Sequence, residues 1–355
     1  MQSGQALEPQ LGPGVVFGQV QPGSSAGACE AAGDSCCGTH AGSRQSAAAI
    51  ASSLQPVISG SSAGAGVRLR HQLAWRREPR DRKGEVMPIT VADLRRFKRE
   101  GHRFVMLTCY DVQTARIFDE VGVPFVFVGD TLGIMVLGHD TTLPVTMDDM
   151  IRHCQAVGRG LTNSLLVGDL PFGSYEASVT EGVRNAIRLV KEGGVAVVKI
   201  EGPEAPLVRA LTAKGIAVMG HLGLTPQSVH ALGGNKVQAR TQAAVDQLVT
   251  DAHDLEAAGA CAIVLEAVPS EAARQVTESL TIPTIGIGAG RACDGQVLVS
   301  TEMLGLVADD KPRPRFAKLY ADLRGEIANA AKAFVAEVAA GDYPDHEHSY
   351  DWTIQ

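Results

Sequence analysis

The chain has 355 residues, 45% of them hydrophobic and 20% charged, and a formal net charge of −7. That length accommodates one α/β barrel of about 250 residues plus an extension, and the composition is that of a globular enzyme with a large core. The negative balance excludes nonspecific nucleic-acid binding, which depends on a basic surface, and no apolar stretch approaches the roughly 20 residues that cross a bilayer. The seven cysteines are scattered without framework or zinc-site spacing, so reduced thiols and a cytoplasmic location are expected.

Residues 1 to about 65 are Ala, Gly, Ser and Gln without sustained hydrophobic periodicity. Such a stretch buries too little apolar surface to offset its ordering entropy, so residues 1–86 read as a low-complexity, disordered extension without chemistry. The segment from Val67 to Lys83 is basic, which suits an organelle-targeting segment, although Glu78, Asp81 and Glu85 weaken that reading. A third reading is translation from Met87, since codons for Lys83-Gly84-Glu85 can spell a purine-rich ribosome-binding tract. A native N-terminal mass that includes residues before Met87 rejects this third reading.

From Met87 onward, apolar segments alternate with amphipathic ones. A short helix is expected over Thr90 to Glu100, with Thr90 as N-cap. Apolar runs then stop at polar residues: Phe104–Leu107 at Thr108, Phe125–Val128 at Asp130, Leu165–Val167 at Asp169, Val195–Val198 at Lys199 and Glu201, Ile216–Met219 at His221, and Ala262–Leu265 at Glu266. Thr284–Ile287 runs into Gly288-Ala289-Gly290, and Val297–Val299 supplies an eighth strand. Helical patterns lie between them, several ending at Gly, the usual C-terminal stop. Eight βα units in residues 87–355 predict a (β/α)8 TIM barrel rather than a doubly wound sheet. The absence of an early G-x-G-x-x-G agrees.

Barrel enzymes gather their catalytic groups at the C-terminal strand ends. Here those ends carry Asp130, Asp169, Lys199, Glu201, His221 and Glu266. Asp130, Asp169 and Glu201 are hard oxygen ligands of the kind Mg2+ prefers; a salt-bridge network is the alternative. Lys199 shares a strand face with Glu201, where it holds a substrate carboxylate or balances the acids. Glu266 follows an apolar run, where desolvation is expected to raise its pKa towards that of a general base. His221 is an auxiliary donor or a structural histidine. Gly286 to Gly290 either cradles an anion or serves tight packing.

With those residues laid out, the chain from Met87 resembles the ketopantoate hydroxymethyltransferase (3-methyl-2-oxobutanoate hydroxymethyltransferase) family. The matching stretches are VGDTLG (128–133), GHDTTLPVTMDDM (138–150), DLPFGSYE (169–176), VKIEG (198–202), GHLGLTPQS (220–228), GGNKVQAR (233–240), LEAVP (265–269), IGIGAGRACDGQVLV (285–299) and PDHEHSY (344–350). The resemblance implies a barrel assembled as a homodecamer, one Mg2+ per subunit, and 5,10-methylenetetrahydrofolate as co-substrate. By the same resemblance Asp130, Asp169 and Glu201 form the metal site. Asp130, Thr131, Asp169 and Lys199 contact α-ketoisovalerate, and Glu266 is the catalytic base. Thr131 stands where the family commonly has Ser; the hydroxyl is kept and a methyl is added. Lys236, Gln238 and Arg240 are candidate folate contacts. The rival reading is a Mg2+-dependent 2-oxo-acid lyase or mutase of the phosphoenolpyruvate mutase/isocitrate lyase kind, but its K-x-C-G-H loop has no counterpart in this sequence.

Overall fold

Residue parity along eight short strands decides what the barrel holds inside. In the computed structural model, residues 87–308 and 313–350 are described; the three readings of residues 1–86 lie outside the described residues. The strands are β1 (Phe104–Thr108), β2 (Phe125–Val128), β3 (Leu165–Asp169), β4 (Val197–Lys199), β5 (Ala217–Gly223), β6 (Ala262–Glu266), β7 (Thr284–Ile287) and β8 (Gly295–Leu298). They close in sequence order into one barrel, and every neighbouring pair, β8 with β1 included, is parallel. The expected (β/α)8 barrel is the fold.

Successive side chains on a strand point to opposite faces. Phe125, Phe127, Leu165, Val167, Val197, Met219, Ala262, Val264, Ile285 and Val297 pack with one another inside the barrel. Val126, Val128, Leu166, Val198, Val218, Ile263 and Leu265 pack outward under the helices. The same parity carries Asp169, Lys199, Glu201, His221 and Glu266 inward, each two residues or a multiple of two beyond an inward-facing apolar residue. The opposite end is plugged by the helix Val91–Arg99. Its Leu94 is fully buried, and its Phe97 meets Phe125 edge-on with ring centroids 6.2 Å apart.

Local signals explain the helix boundaries. Asp93 accepts hydrogen bonds from the Thr90 amide and hydroxyl, both at 2.8 Å, so Thr90 caps as expected. Asp111 accepts from the amides of Gln113 and Thr114 at 2.9 Å and starts the helix Val112–Val121. Gly122, at φ +79°, ends it in the left-handed conformation that glycine alone adopts without strain. The eighth strand begins two residues earlier than expected. A side chain at Gly295 would collide with the Phe104 ring, so this glycine lets β8 close against β1. The helix Leu323–Ala340, an 18-residue element with no buried side chain, is not expected from the sequence pattern.

Candidate active site

The strand ends converge on one cavity of about 630 Å3. Asp130, Thr131, Asp169, Lys199, Glu201, His221 and Glu266, the residues expected from the sequence, all line it. Asp130 lies one residue off the parity of β2. Gly129 makes the offset, since a side chain there would press the Phe127 ring at 2.9 Å.

The acids and their partners form a continuous buried network. The Asp130 amide donates to Asp169 Oδ2 at 3.1 Å, and Lys199 Nζ donates to Asp169 Oδ1 at 2.6 Å. Lys199 Nζ also lies 3.8 Å from Glu201 Oε1 and 5.1 Å from the centroid of the Phe127 ring. His221 stands between two carboxyls, with Nδ1 3.3 Å from Glu201 Oε1 and Nε2 3.4 Å from Glu266 Oε2. Both contacts are ion-pair distances without hydrogen-bond alignment, and neither ring nitrogen has another partner among the described residues.

Charge and burial oppose each other here. Burial, then the charges of Asp169 and Glu201, push Asp130 well above the usual carboxylate range. Burial also leaves Asp169 raised despite its Lys199 partner. For Glu201, burial is overcome by His221, Lys199 and the Gln227 amide, and the carboxyl falls below its ordinary value. Burial and Lys199 oppose a charge on His221, but Glu201 and Glu266 prevail and raise it to about 9. The two carboxyls thus favour the protonated imidazole.

Two residues that sequence reasoning missed tie this network together. Gln227 Nε2 donates to Asp130 Oδ2 at 2.8 Å and to the Leu170 carbonyl at 2.9 Å, and its amide donates to Glu201 Oε2 at 3.0 Å. Tyr175 Oη donates to Gln227 Oε1 at 2.5 Å and accepts from the Glu201 amide at 3.2 Å. Both lie within stretches used for the resemblance, but on loops after β5 and β3, where no periodicity marks a side chain's direction. A third, Glu302, lies on the short helix Ser300–Met303 after β8 and lines the same cavity.

The donor set fits a hard divalent cation. Asp130 is 2% exposed, receives one neutral side-chain donor, and has no ion-pair partner among the described residues. A cation beside Asp130 and Asp169 would discharge that excess, and Mg2+ typically takes one or two carboxylates and keeps waters for the rest. No group of three or more His, Cys, Asp or Glu side chains among the described residues is placed to hold a metal ion together, so the expected triad of Asp130, Asp169 and Glu201 is not assembled as one site. Glu201 shows why: one oxygen takes the Gln227 amide and the other lies between His221 and Lys199.

The glycine-rich turn after β7 packs rather than opens. A side chain at Gly288, φ +63°, would reach the Phe316 ring at 2.6 Å, and one at Gly290 would collide with Ser270. Of the three folate candidates only Lys236 lines the cavity. The Gln238 amide bonds the Ala267 carbonyl, and neither Gln238 nor Arg240 is part of the cavity wall. All four cysteines among the described residues are buried and free.

The ketopantoate hydroxymethyltransferase family model matches residues 88–346. The 3-methyl-2-oxobutanoate hydroxymethyltransferase of Syntrophus aciditrophicus (strain SB) is 50% identical over 264 residues, 74% of this chain and 96% of that protein. The enzyme of the same name from Oleidesulfovibrio alaskensis (strain ATCC BAA-1058 / DSM 17464 / G20) is 52% identical over 268 residues, covering 75% of this chain and 92% of that protein. Among solved structures, phosphoenolpyruvate phosphomutase from Streptomyces platensis subsp. rosaceus aligns with a TM-score of 0.47 at 14% identity, over 71% of this chain and 88% of that one. A family match across the whole barrel, with half of its residues shared with such relatives, places this chain in the ketopantoate hydroxymethyltransferase family.

Proposed function

We propose that this chain transfers a hydroxymethyl group from 5,10-methylenetetrahydrofolate to 3-methyl-2-oxobutanoate (α-ketoisovalerate). The product is 2-dehydropantoate, on the route to pantothenate and coenzyme A. One observation carries the reading: Glu266, with 17% of its side chain exposed, opens into the cavity that holds the paired Asp130 and Asp169 carboxyls. A base thus shares a half-dry cavity with a site for an electrophilic metal. Asp130 and Asp169 would hold Mg2+, one ion per subunit, with Glu201 lending charge behind them. When bound there, the ion supplies Lewis-acid polarisation of the keto carbonyl.

The chain's own residues do the rest. Lys199 faces the substrate carboxylate from the floor, and Thr131 offers a hydroxyl at the wall. Glu266 takes the proton from C3 of the keto acid, and the C3 electron pair forms the new bond to the methylene carbon. Water supplies the hydroxyl oxygen on that carbon, both of its C–N bonds break, and tetrahydrofolate leaves with N5 and N10 taking up the C3 proton and one proton of the water. His221, buried between Glu201 and Glu266, positions the Glu266 side chain from 3.4 Å. Among the described residues a reactive-thiol role is disfavoured, because all four cysteines there are buried and burial raises the Cys109 thiol to about 11.

The test is exchange of the C3 hydrogen in D2O, with Mg2+ and without folate. Wild-type protein should exchange it, a chelator should stop it, and Glu266→Gln should slow it by about 10² to 10⁴ while the keto acid still binds. Unchanged exchange in that variant removes Glu266 from the role. Turnover of 2-oxo acids without folate would favour the lyase reading.

Residues 87–355 act as the catalytic domain in this reading, with residues 1–86 outside the chemistry. A cytoplasmic site of action suits a cytosolic substrate pair, and no helix among the described residues is long and apolar enough to cross a membrane. Self-assembly, as a decamer in the family's manner, is supported by the exposed apolar side chains of Leu323–Ala340.

A further inference from the structure

The cavity is larger than a five-carbon keto acid needs, and its far side has a different chemistry. Glu302 is 8% exposed, lines the cavity, and receives no hydrogen bond among the described residues. A carboxyl so placed lacks a donor. The keto acid cannot supply one, since both its functional groups are acceptors already faced by Lys199 and the Asp130–Asp169 pair. Arg313 and Lys236, both exposed, stand at the same cavity's wall, with Met135 and Phe316 as apolar surface. The occupant of this side must offer an N–H edge, a flat apolar body and at least one negative charge.

We propose that Glu302 anchors the fused-ring head of the one-carbon donor through its amino-pyrimidinone N–H edge, while Arg313 and Lys236 hold the carboxylates of its tail. This rests on the reading of methylenetetrahydrofolate as co-substrate. A carboxylate accepts two parallel N–H bonds from such an edge, and charge-assisted pairs of this kind are stronger than neutral ones. The surroundings agree: burial and the neighbouring Glu266 hold Glu302 protonated up to about pH 7, with Arg313 pulling the other way. A bound N–H edge would supply the donors that stabilise its ionised form. Because Glu266 and Glu302 face one cavity, a head bound at Glu302 lies on the side of the base.

The experiment uses full-length protein loaded with Mg2+ and measures tetrahydrofolate affinity by fluorescence titration, alongside folate-independent C3 exchange. Glu302→Gln should weaken tetrahydrofolate binding about tenfold or more and leave exchange at the wild-type rate, which also shows that the variant folds. Replacing Arg313 and Lys236 together by Gln should weaken tetrahydrofolate but not 6-methyltetrahydropterin, which has the ring without the tail. Equal tetrahydrofolate affinity in wild type and Glu302→Gln overturns the inference and leaves the co-substrate reading standing. A parallel loss of exchange also overturns it, since Glu302 would then act through Glu266. Wild-type protein that exchanges C3 hydrogen but ignores tetrahydrofolate removes the co-substrate reading, and the inference with it.

Discussion

At the scale of single residues, Gln227 has the most to lose. Its amide side chain donates to Asp130 and to the Leu170 carbonyl and accepts from Tyr175, all in buried surroundings. Gln227→Leu keeps the volume and removes every one of those bonds. Buried groups left without partners cost about 1–3 kcal/mol each, so thermal unfolding should shift down by several degrees. Asp130, freed of its orienting donor, should hold a divalent cation more weakly. Calorimetric metal titration and a melting curve check the two effects, and a variant with wild-type values in both would show that Gln227 orients nothing. The sequence displayed the inward-facing acids because strand parity is periodic: Asp169 follows Val167, and Glu266 follows Val264. It could not display Gln227 or Tyr175. Each reaches the acids across a loop turn, and only the closed barrel brings the loop after β5 over the end of β3.

At the scale of elements, carboxylates at helix ends set how helices dock on strands. Asp119, near the end of Val112–Val121, accepts from the Asn163 amide at 2.9 Å and the Ser164 amide at 2.7 Å, one residue before β3 begins. Burial works against its charge, but the amides of Ser164 and Asn163 prevail and hold it below the ordinary value of 3.8. Its folded-state pKa is depressed, so the stabilisation is present above about pH 4 and is lost as pH falls through the folded value. Asp119→Ala should cost about 1–3 kcal/mol at pH 7, and its gap from wild type in urea unfolding should narrow below pH 4. A gap constant down to pH 3 would mean that packing, not the charged bond, accounts for the loss. Such caps were partly legible: Thr90 read as a helix start, whereas Asp119 looks like one more acid in an amphipathic segment. Strand starts were legible to within two residues, whereas β5 runs four residues past its expected end. The first two residues of β8 escaped because Gly295 and Gln296 lack an apolar signature, and their strand character comes from pairing with Phe104 and Val105.

At the scale of the molecule, two surfaces are unfinished. Parallel barrel strands are normally covered on both faces, yet Val105 of β1 and Gln296 of β8 are exposed, beside a groove of about 780 Å3. The helix Leu323–Ala340 buries none of its residues, although Ile327, Ala331, Phe334, Val335 and Val338 recur at helical spacing and the large ones are more than 45% exposed. Contiguous apolar surface of this kind marks an interaction site, and in a chain that repeats the same surfaces on every copy the simplest partner is another copy. The sequence pattern did not single out this helix. Its apolar residues are diluted among alanines, and no βα unit was expected beyond the eighth strand. Sedimentation velocity should therefore give a mass several times 37.2 kDa. Phe334→Glu together with Val335→Glu should lower that mass while circular dichroism keeps the barrel signature. Charges buried at an interface without partners cost several kcal/mol, enough to dissociate subunits at micromolar concentration. Wild-type protein that sediments as a single subunit, or a double variant of unchanged mass, would assign the exposed stripe to something other than self-assembly.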